Sequence, residues 1–175
     1  MKTSIALIGF MGVGKTVVGK ALARQLDKEF VELDALIERK AGKTIPAIFS
    51  EDGETAFREL EIEITGEVSR KKNTVIACGG GVILNQINID RLRQENLIVC
   101  LTASPDIIIK RTSSRAGARP LLEVADKALE VTKLLKFREP LYRRAADITI
   151  NTSNQSISRV VAEIISRVEK HEDFH

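Results

Sequence analysis

The stretch that decides the fold spans residues 9–16 and reads Gly-Phe-Met-Gly-Val-Gly-Lys-Thr, which fits the pattern G-x-x-x-x-G-K-[ST]. An apolar run, Ser4–Ile8, precedes it and predicts a β-strand, and an amphipathic run, Lys15–Leu26, follows it and predicts an α-helix. Glycine lets the backbone curl where other residues resist. The sequence therefore predicts a strand, a glycine-rich turn and the N-terminus of a helix in succession.

Short apolar runs and longer amphipathic runs alternate along the rest of the chain. The apolar runs are nearly continuous, as expected for parallel strands buried on both faces. Further strands are predicted at Phe30–Leu33, Thr74–Ala77, Leu97–Leu101 and Ile148–Ile150. Further helices are predicted at Glu54–Arg70, Asn88–Arg93, Pro105–Arg111, Ala125–Arg144 and Ile157–Val168. A chain of 175 residues suits one domain, so we predict a single α/β domain with three layers and a central five-stranded parallel sheet.

Two segments interrupt this alternation and look like insertions. Residues 34–61 separate the second and third predicted strands, and residues 112–122 are rich in glycine, arginine and serine. Ligands of open α/β sheets bind outside the carboxyl ends of the strands, where such segments lie. We therefore expect residues 34–61 to carry substrate-binding side chains.

Composition excludes several classes of function. The net charge of +3 is too small for electrostatic binding to DNA. Six Phe, one Tyr and no Trp offer few aromatic rings for stacking on the bases of single-stranded nucleic acid. No apolar run approaches the roughly 20 residues that span a bilayer. Cys78 and Cys100 lie in apolar runs, without cysteine or histidine at metal-ligand spacing, and are predicted to be small buried hydrophobes. We expect a cytoplasmic monomer that binds neither nucleic acid nor membrane.

The glycine-rich stretch indicates a phosphate-binding loop. Successive backbone N–H groups of such a loop point at phosphate oxygens, and the helix N-terminus adds partial positive charge. In this pattern Lys15 reaches the β- and γ-phosphates and the Thr16 hydroxyl ligates Mg²⁺. Val17 stands where many such loops place a second hydroxyl, at a cost of about 1 kcal/mol in nucleotide affinity. The loop residues predicted to bind nucleotide are Gly12, Val13, Gly14, Lys15, Thr16 and Val17.

The rest of the sequence limits the possible acceptors of the phosphoryl group. A GTPase would carry the guanine-reading pattern N/T-K-x-D, which does not occur here. A small chain with a phosphate-binding loop and an arginine-bearing inserted segment favours phosphoryl transfer to a small molecule.

Five pieces of sequence, in order, resemble shikimate kinase over about residues 5–150. They are GFMGVGKT at 9–16, VELD at 31–34, DGETAFRELE at 52–61, CGGGV at 78–82, and RPLL at 119–122 with REPLYRR at 138–144. The resemblance implies a P-loop kinase fold, with a lid at residues 112–122, that uses ATP and Mg²⁺. The implied reaction phosphorylates the 3-hydroxyl of shikimate in the chorismate pathway and yields shikimate 3-phosphate and ADP.

The resemblance assigns the acceptor site to two arginines and a glycine turn. Arg58 and Arg138 match the family's carboxylate-binding arginines, and arginine suits that task because its guanidinium is planar and always charged. Spacing alone explains Arg58 equally well as a surface ion pair with Glu54 or Glu61. For Arg138, spacing alone favours a solvated charge. The turn Gly79, Gly80 and Gly81 ends a buried strand, so either a closely approaching ligand or a positive φ is expected there.

Two carboxylates follow the second predicted strand. Asp34 matches the family aspartate that hydrogen-bonds a substrate hydroxyl and is the candidate base, although it also precedes a helical run and suits an N-cap. Glu32 stands where the family has an aspartate that holds Mg²⁺ through water, and the retained waters of Mg²⁺ can absorb the extra methylene. Thr16 and Glu32 are therefore the predicted metal site.

The remaining assignments concern the lid and the base of the nucleotide. Arg119 lies in the segment that resembles the lid, where it would neutralise charge at the transferring phosphate while the closed lid excludes water. Arg111 matches an arginine that packs on adenine. The family's second adenine loop corresponds to residues 151–155, which lack its usual proline, and Asn154 is the predicted contact.

Two other hypotheses remain at this point. One is another small-molecule kinase, such as a gluconate or nucleoside-monophosphate kinase, against which the glycine turn and the paired arginines argue. The other is a nucleotide-binding regulator that has lost catalysis, for which Val17 and Glu32 are the only indications.

Overall fold

The structure is a computed structural model that describes residues 2–113 and 127–174. The strands are β1 (Ser4–Ile8), β2 (Glu29–Glu32), β3 (Thr74–Ala77), β4 (Asn96–Thr102) and β5 (Ile148–Asn151). The helices are α1 (Lys15–Gln25), α2 (Leu33–Ala41), α3 (Ile45–Glu51), α4 (Gly53–Val68), α5 (Gln86–Glu95), α6 (Pro105–Ser113), α7 (Lys127–Ala145) and α8 (Ile157–Val168), with a 3₁₀ turn at Val82–Leu84. Each predicted strand and helix is present, with ends that differ by at most two residues.

The five strands form one parallel sheet in the order β2-β3-β1-β4-β5. β1 lies in the centre, where Ile5 is level with Val75 of β3 and with Leu97 of β4. All five residues of β1 are buried. Because successive side chains of a strand point to opposite faces, helices must cover both faces of the sheet. The predicted α/β architecture is confirmed.

The segment 34–61 contains most of α2 and all of α3, of which the sequence analysis noted only a helical run after Asp34. α2 begins directly after β2, and α3 lies between α2 and α4. The ends of these helices carry ordinary capping residues: Gly42 terminates α2 at a φ of 69°, and the side chain of Thr44 accepts a hydrogen bond from the backbone N–H of Ala47 at 3.4 Å. With Pro46 in the first turn, these are recognised helix boundary signals. α3 has only seven residues, too few for a clear helical period, which explains why the sequence did not predict it.

Both cysteines lie in the core. Cys78 and Cys100 are buried, and this burial raises the pKa of each thiol to about 12. The predicted role of small buried hydrophobes is confirmed. Among the helices that the structure describes, none is long and apolar enough to cross a bilayer.

We predict that Ile98→Ala in β4 lowers the free energy of unfolding by about 3 kcal/mol, because it removes a buried side chain and leaves a cavity in the central sheet. Ile98 is 0% exposed, whereas Ile87 on α5 is 45% exposed. The matched control, Ile87→Ala, should change the free energy of unfolding by less than about 1 kcal/mol. Urea unfolding of both variants measures the difference, and equal losses would contradict the described packing.

Candidate active site

A cavity of about 710 Å³ opens where β1, β2 and β3 end. Its wall combines the glycine-rich loop, the start of α2, the face of α4, the glycine turn after β3, α7 and the loop after β5. The predicted site residues that line it are Gly12, Val13, Gly14, Lys15, Thr16, Val17, Glu32, Asp34, Arg58, Gly79, Gly80, Gly81, Arg111 and Arg138. The fold therefore gathers residues from distant parts of the sequence into one cavity.

The loop at residues 9–16 has the curled backbone that its glycines predict. Gly9, Gly12 and Gly14 have φ values of 143°, 82° and 104°, in a region that residues with side chains rarely adopt. Gly14 is the N-cap of α1, so the loop leads directly into the helix N-terminus. Lys15 extends back over the loop, where its Nζ donates to the carbonyl oxygens of Gly9 at 2.6 Å and Phe10 at 3.0 Å.

The two predicted metal ligands are in contact. Thr16 Oγ1 donates a hydrogen bond of 3.1 Å to Glu32 Oε1 at the end of β2. Burial raises the pKa of Glu32, and the charge of Asp34 adds to this, while the Thr16 hydrogen bond and Lys15 oppose it. A hydroxyl and a carboxylate are hard oxygen donors that fit Mg²⁺, which keeps several waters and needs few protein ligands. The residues present therefore fit the implied ion.

The glycine turn is explained by the close approach of charged side chains. A Cβ atom at Gly81 would overlap Nη1 of Arg58 and lie 2.7 Å from its Nη2. A Cβ atom at Gly79 would lie 2.9 Å from Asp34 Oδ1 and 3.2 Å from Glu61 Oε2. Neither Gly79, Gly80 nor Gly81 has a positive φ, so the alternative of a left-handed turn is wrong. Gly79 and Gly81 therefore leave room for the ends of the Asp34, Glu61 and Arg58 side chains, whereas a Cβ atom at Gly80 would make ordinary contacts.

Arg58 lies between an exposed and a buried glutamate on α4. Its Nη2 is 3.2 Å from Glu54 Oε1, and its Nη1 is 2.9 Å from Glu61 Oε1. Glu61 is completely buried, which raises the pKa of its carboxyl, while Arg58 lowers it in part. Both ion pairs that the sequence offered are therefore formed. The side chain of Arg58 is 14% exposed and lines the cavity, so these ion pairs lie at the cavity wall.

Arg138 is 4% exposed, which excludes the prediction of a solvated charge. Its guanidinium carbon lies 5.9 Å from the centroid of the Phe10 ring, within the range of a cation–π contact. One turn further along α7, the Tyr142 hydroxyl donates a hydrogen bond of 2.5 Å to the carbonyl of Gly80. The face of α7 that carries Arg138 is thereby fixed to the glycine turn.

Asp34 lies in the first turn of α2, close to Gly79. The N-cap of this helix is Glu32, so the N-cap role predicted for Asp34 is wrong. The charge of Asp34 raises the pKa of both Glu32 and Glu61. Asp34 is therefore close enough to the carboxyl groups of Glu32 and Glu61 to interact with both.

The residues predicted to contact adenine lie in different surroundings. Arg111 donates from Nη1 to the carbonyl oxygens of Gly12 and Val13, both at 3.3 Å, so it contacts the phosphate-binding loop. Asn154 is exposed, and the residues of its loop that line the cavity are Thr152 and Gln155. Arg119 and residues 114–122 of the predicted lid lie outside the described residues.

Sequence reasoning missed an apolar wall and one tyrosine. The rings of Phe49 and Phe57 pack with centroids 4.8 Å apart, and both line the cavity beside Arg58. Phe49 was missed because α3 was not predicted. Tyr142 was identifiable, because it follows Arg138 by four residues and therefore lies on the same helix face.

Comparison with known proteins identifies the family. A family model described as shikimate kinase matches residues 11–169. This chain belongs to the shikimate kinase family. A curated shikimate kinase from Caldanaerobacter subterraneus subsp. tengcongensis is 46% identical over 162 residues, which cover 93% of this chain and 94% of that protein. The resemblance inferred from the sequence is confirmed.

Solved shikimate kinases share the fold. A shikimate kinase from Acinetobacter baumannii, solved in complex with shikimate, has a TM-score of 0.94 at 38% identity, and the match covers 98% of this chain and 96% of that one. A gluconokinase from Sinorhizobium meliloti has a TM-score of 0.58 at 19% identity and shares the fold alone. The predicted P-loop kinase fold is therefore confirmed.

We predict that Glu61→Gln changes how the stability of this shikimate kinase family member depends on pH. The pKa of Glu61 is raised in the folded state, so above its ordinary value of 4.5 the folded chain retains a proton that the unfolded chain loses. The free energy of unfolding of the unmodified chain therefore falls as the pH rises from 4.5 through the folded-state pKa of Glu61. The Gln variant lacks that loss, so its free energy of unfolding relative to the unmodified chain should increase from pH 4.5 upward.

Urea unfolding across this pH range measures the effect. Glu54→Gln is the matched control, because Glu54 contacts the same arginine from an exposed position where solvent screens the charge. The free energy of unfolding of the control should change with pH in the same way as that of the unmodified chain. A pH-independent difference for Glu61→Gln would contradict the described burial of Glu61.

Proposed function

We propose that this chain transfers the γ-phosphoryl group of ATP to the 3-hydroxyl of shikimate, a step of aromatic amino acid biosynthesis. Family membership supports this reaction. The structural observation that carries the proposal is one cavity that is lined both by the phosphate-binding loop and by two arginines, the half-buried Arg58 and the buried Arg138. Such a cavity suits two anionic ligands that must meet.

The loop at residues 9–16 binds the phosphates of ATP. Its amides and the N-terminus of α1 supply fixed partial positive charge, and Lys15 adds a full charge. Lys15 exchanges its hydrogen bonds to the Gly9 and Phe10 carbonyls for phosphate oxygens. Thr16 and Glu32 hold Mg²⁺, which neutralises charge on the phosphates when it is bound.

The opposite end of the cavity binds shikimate. Arg58 and Arg138 hold the carboxylate, and Glu61 keeps Arg58 in position from the buried side. The turn at Gly79, Gly80 and Gly81 gives the ring access to backbone amides. Asp34 accepts the hydrogen bond of the 3-hydroxyl and orients it for in-line attack, because phosphoryl transfer has a loose transition state that depends on positioning.

Three assignments complete the proposal on the strength of the family resemblance. Arg111 packs against adenine, and Asn154 contributes to the same subsite. Arg119 neutralises charge at the transferring phosphate when the lid at residues 112–122 closes. A cytoplasmic location and a monomeric state remain predictions from the sequence.

One assay tests the reaction against its alternatives. Purified chain with Mg²⁺ and ATP is offered shikimate, gluconate or AMP, and release of ADP is followed by a coupled enzyme assay. Turnover of shikimate alone is expected. Turnover of gluconate or AMP in its place would contradict the proposed acceptor, and ATP binding without turnover of any of the three would favour the regulator hypothesis.

We predict that Arg138→Lys raises KM for shikimate by about tenfold, because lysine keeps the charge but loses the planar, two-point contact with a carboxylate. KM for ATP should change by less than about twofold. Arg143→Lys is the matched control on the same helix, because the side chain of Arg143 is 79% exposed and pairs with Glu139. Equal KM values for the two variants would show that Arg138 does not bind the carboxylate of shikimate.

We predict that Asp34→Asn lowers kcat by about a hundredfold or more, because the amide retains the shape but cannot accept a proton from the 3-hydroxyl. The dissociation constant for shikimate should change far less than kcat. Steady-state kinetics and calorimetric titration measure the two quantities. A full rate in this variant would show that Asp34 does not orient the hydroxyl.

A further inference from the structure

The loop after β5 contains a buried threonine that contacts the phosphate-binding loop. Thr152 is 3% exposed, and its Oγ1 lies 2.8 Å from the carbonyl oxygen of Val13, across 139 residues of sequence. A second carbonyl, that of Thr102, lies 3.1 Å away and already accepts the backbone N–H of Thr152 at 2.7 Å. A hydroxyl has one proton to donate, so the shorter contact identifies Val13 as its acceptor.

Arg111 joins this contact from α6. Its Nη1 donates to Thr152 Oγ1 at 3.2 Å, and its Nη2 donates to the Thr152 carbonyl at 3.1 Å. The same guanidinium group reaches the carbonyls of Gly12 and Val13. A hydroxyl can accept from Arg111 while it donates to Val13. Thr152 therefore connects a cation and a loop carbonyl with one side chain.

The geometry points to Thr152 as a positioning residue of the phosphate-binding loop. In a planar trans peptide, the carbonyl and the following N–H point in opposite directions. When Thr152 holds the Val13 carbonyl toward the loop after β5, the N–H of Gly14 is directed away from that loop, where it can donate to a phosphate. This inference rests on the proposed function in one respect, namely that the loop binds the phosphates of ATP.

The position of Thr152 offers a second explanation, which the test must separate. Residues 151–155 form the loop that resembles the family's adenine loop, and Thr152 lines the cavity. A direct contact with the base would also weaken nucleotide binding on substitution. The two explanations differ in the part of the nucleotide whose binding is lost.

The central experiment compares Thr152→Val with Thr152→Ser. Valine has nearly the same shape but neither donates nor accepts, whereas serine keeps the hydroxyl. We expect Thr152→Val to raise the dissociation constant for Mg-ADP by about tenfold, in line with the loss of a buried hydrogen-bond pair. Thr152→Ser should stay within about threefold of the unmodified chain. KM for shikimate should not change in either variant.

A phosphate probe without a base distinguishes loop positioning from base contact. Inorganic tripolyphosphate, used as a competitor of ATP, should inhibit Thr152→Val more weakly by a factor similar to the ADP effect. Unchanged inhibition by tripolyphosphate, together with weaker ADP binding, would overturn the inference in favour of a base contact.

Thr149→Val is the matched control, because Thr149 is an exposed residue of β5 and undergoes the same chemical change. It should bind Mg-ADP like the unmodified chain. If Thr152→Val does not fold, Thr152→Ala compared with Thr152→Ser provides the same contrast. Equal ADP affinity in the variants with and without the hydroxyl would overturn the inference, as would a parallel rise of both KM values.

ADP binding without an acceptor separates this inference from the proposed reaction. A chain that binds Mg-ADP but does not phosphorylate shikimate contradicts the proposed function and leaves the Thr152 comparison intact. A chain that binds no Mg-ADP at all contradicts both.

Discussion

The cavity depends on backbone that comes close to charged groups without side chains in between. At the glycine turn after β3, a Cβ atom at Gly81 would overlap the guanidinium group of Arg58, and one at Gly79 would lie 2.9 Å from Asp34 Oδ1. At residues 9–16, Gly9, Gly12 and Gly14 have positive φ values and bring the backbone to the cavity without side chains at these positions. Both ends of the proposed substrate site therefore rely on main-chain atoms at close range.

The sheet brings these two backbone segments together. β1 and β3 are neighbours in the sheet, and the N–H of Cys78 donates to the carbonyl of Leu7 at 3.0 Å where the strands end. A Cβ atom at Gly80 would lie 3.4 Å from the N atom of Met11. Parallel strands end at the same edge, so the glycine-rich loop and the glycine turn meet although about 70 residues separate them.

Charge is arranged along the cavity in a way that suits two anions. Three cationic side chains, Lys15, Arg58 and Arg138, line the cavity together with the carboxylates Glu32, Asp34 and Glu61. Burial raises the pKa of Glu32 and Glu61, so the protein keeps these acids where water solvates them poorly. Their partners offset part of the cost of burying these carboxylates: Thr16 contacts Glu32, and Arg58 contacts Glu61.

The sequence by itself determined the sheet, the loop and the family. Continuous apolar runs predict buried parallel strands, and the pattern at residues 9–16 predicts its own backbone, because only glycine adopts those φ values easily. The burial of Arg138, the ion pairs of Arg58 and the position of Asp34 inside the first turn of α2 became apparent only in the folded chain, because burial depends on elements that are remote in sequence. Spacing along α7 does not reveal that Arg138 is covered by Phe10, and the sequence around Thr152 does not indicate contact with Val13. Such contacts are set by strand order and helix packing, which bring these residues together only in the folded chain.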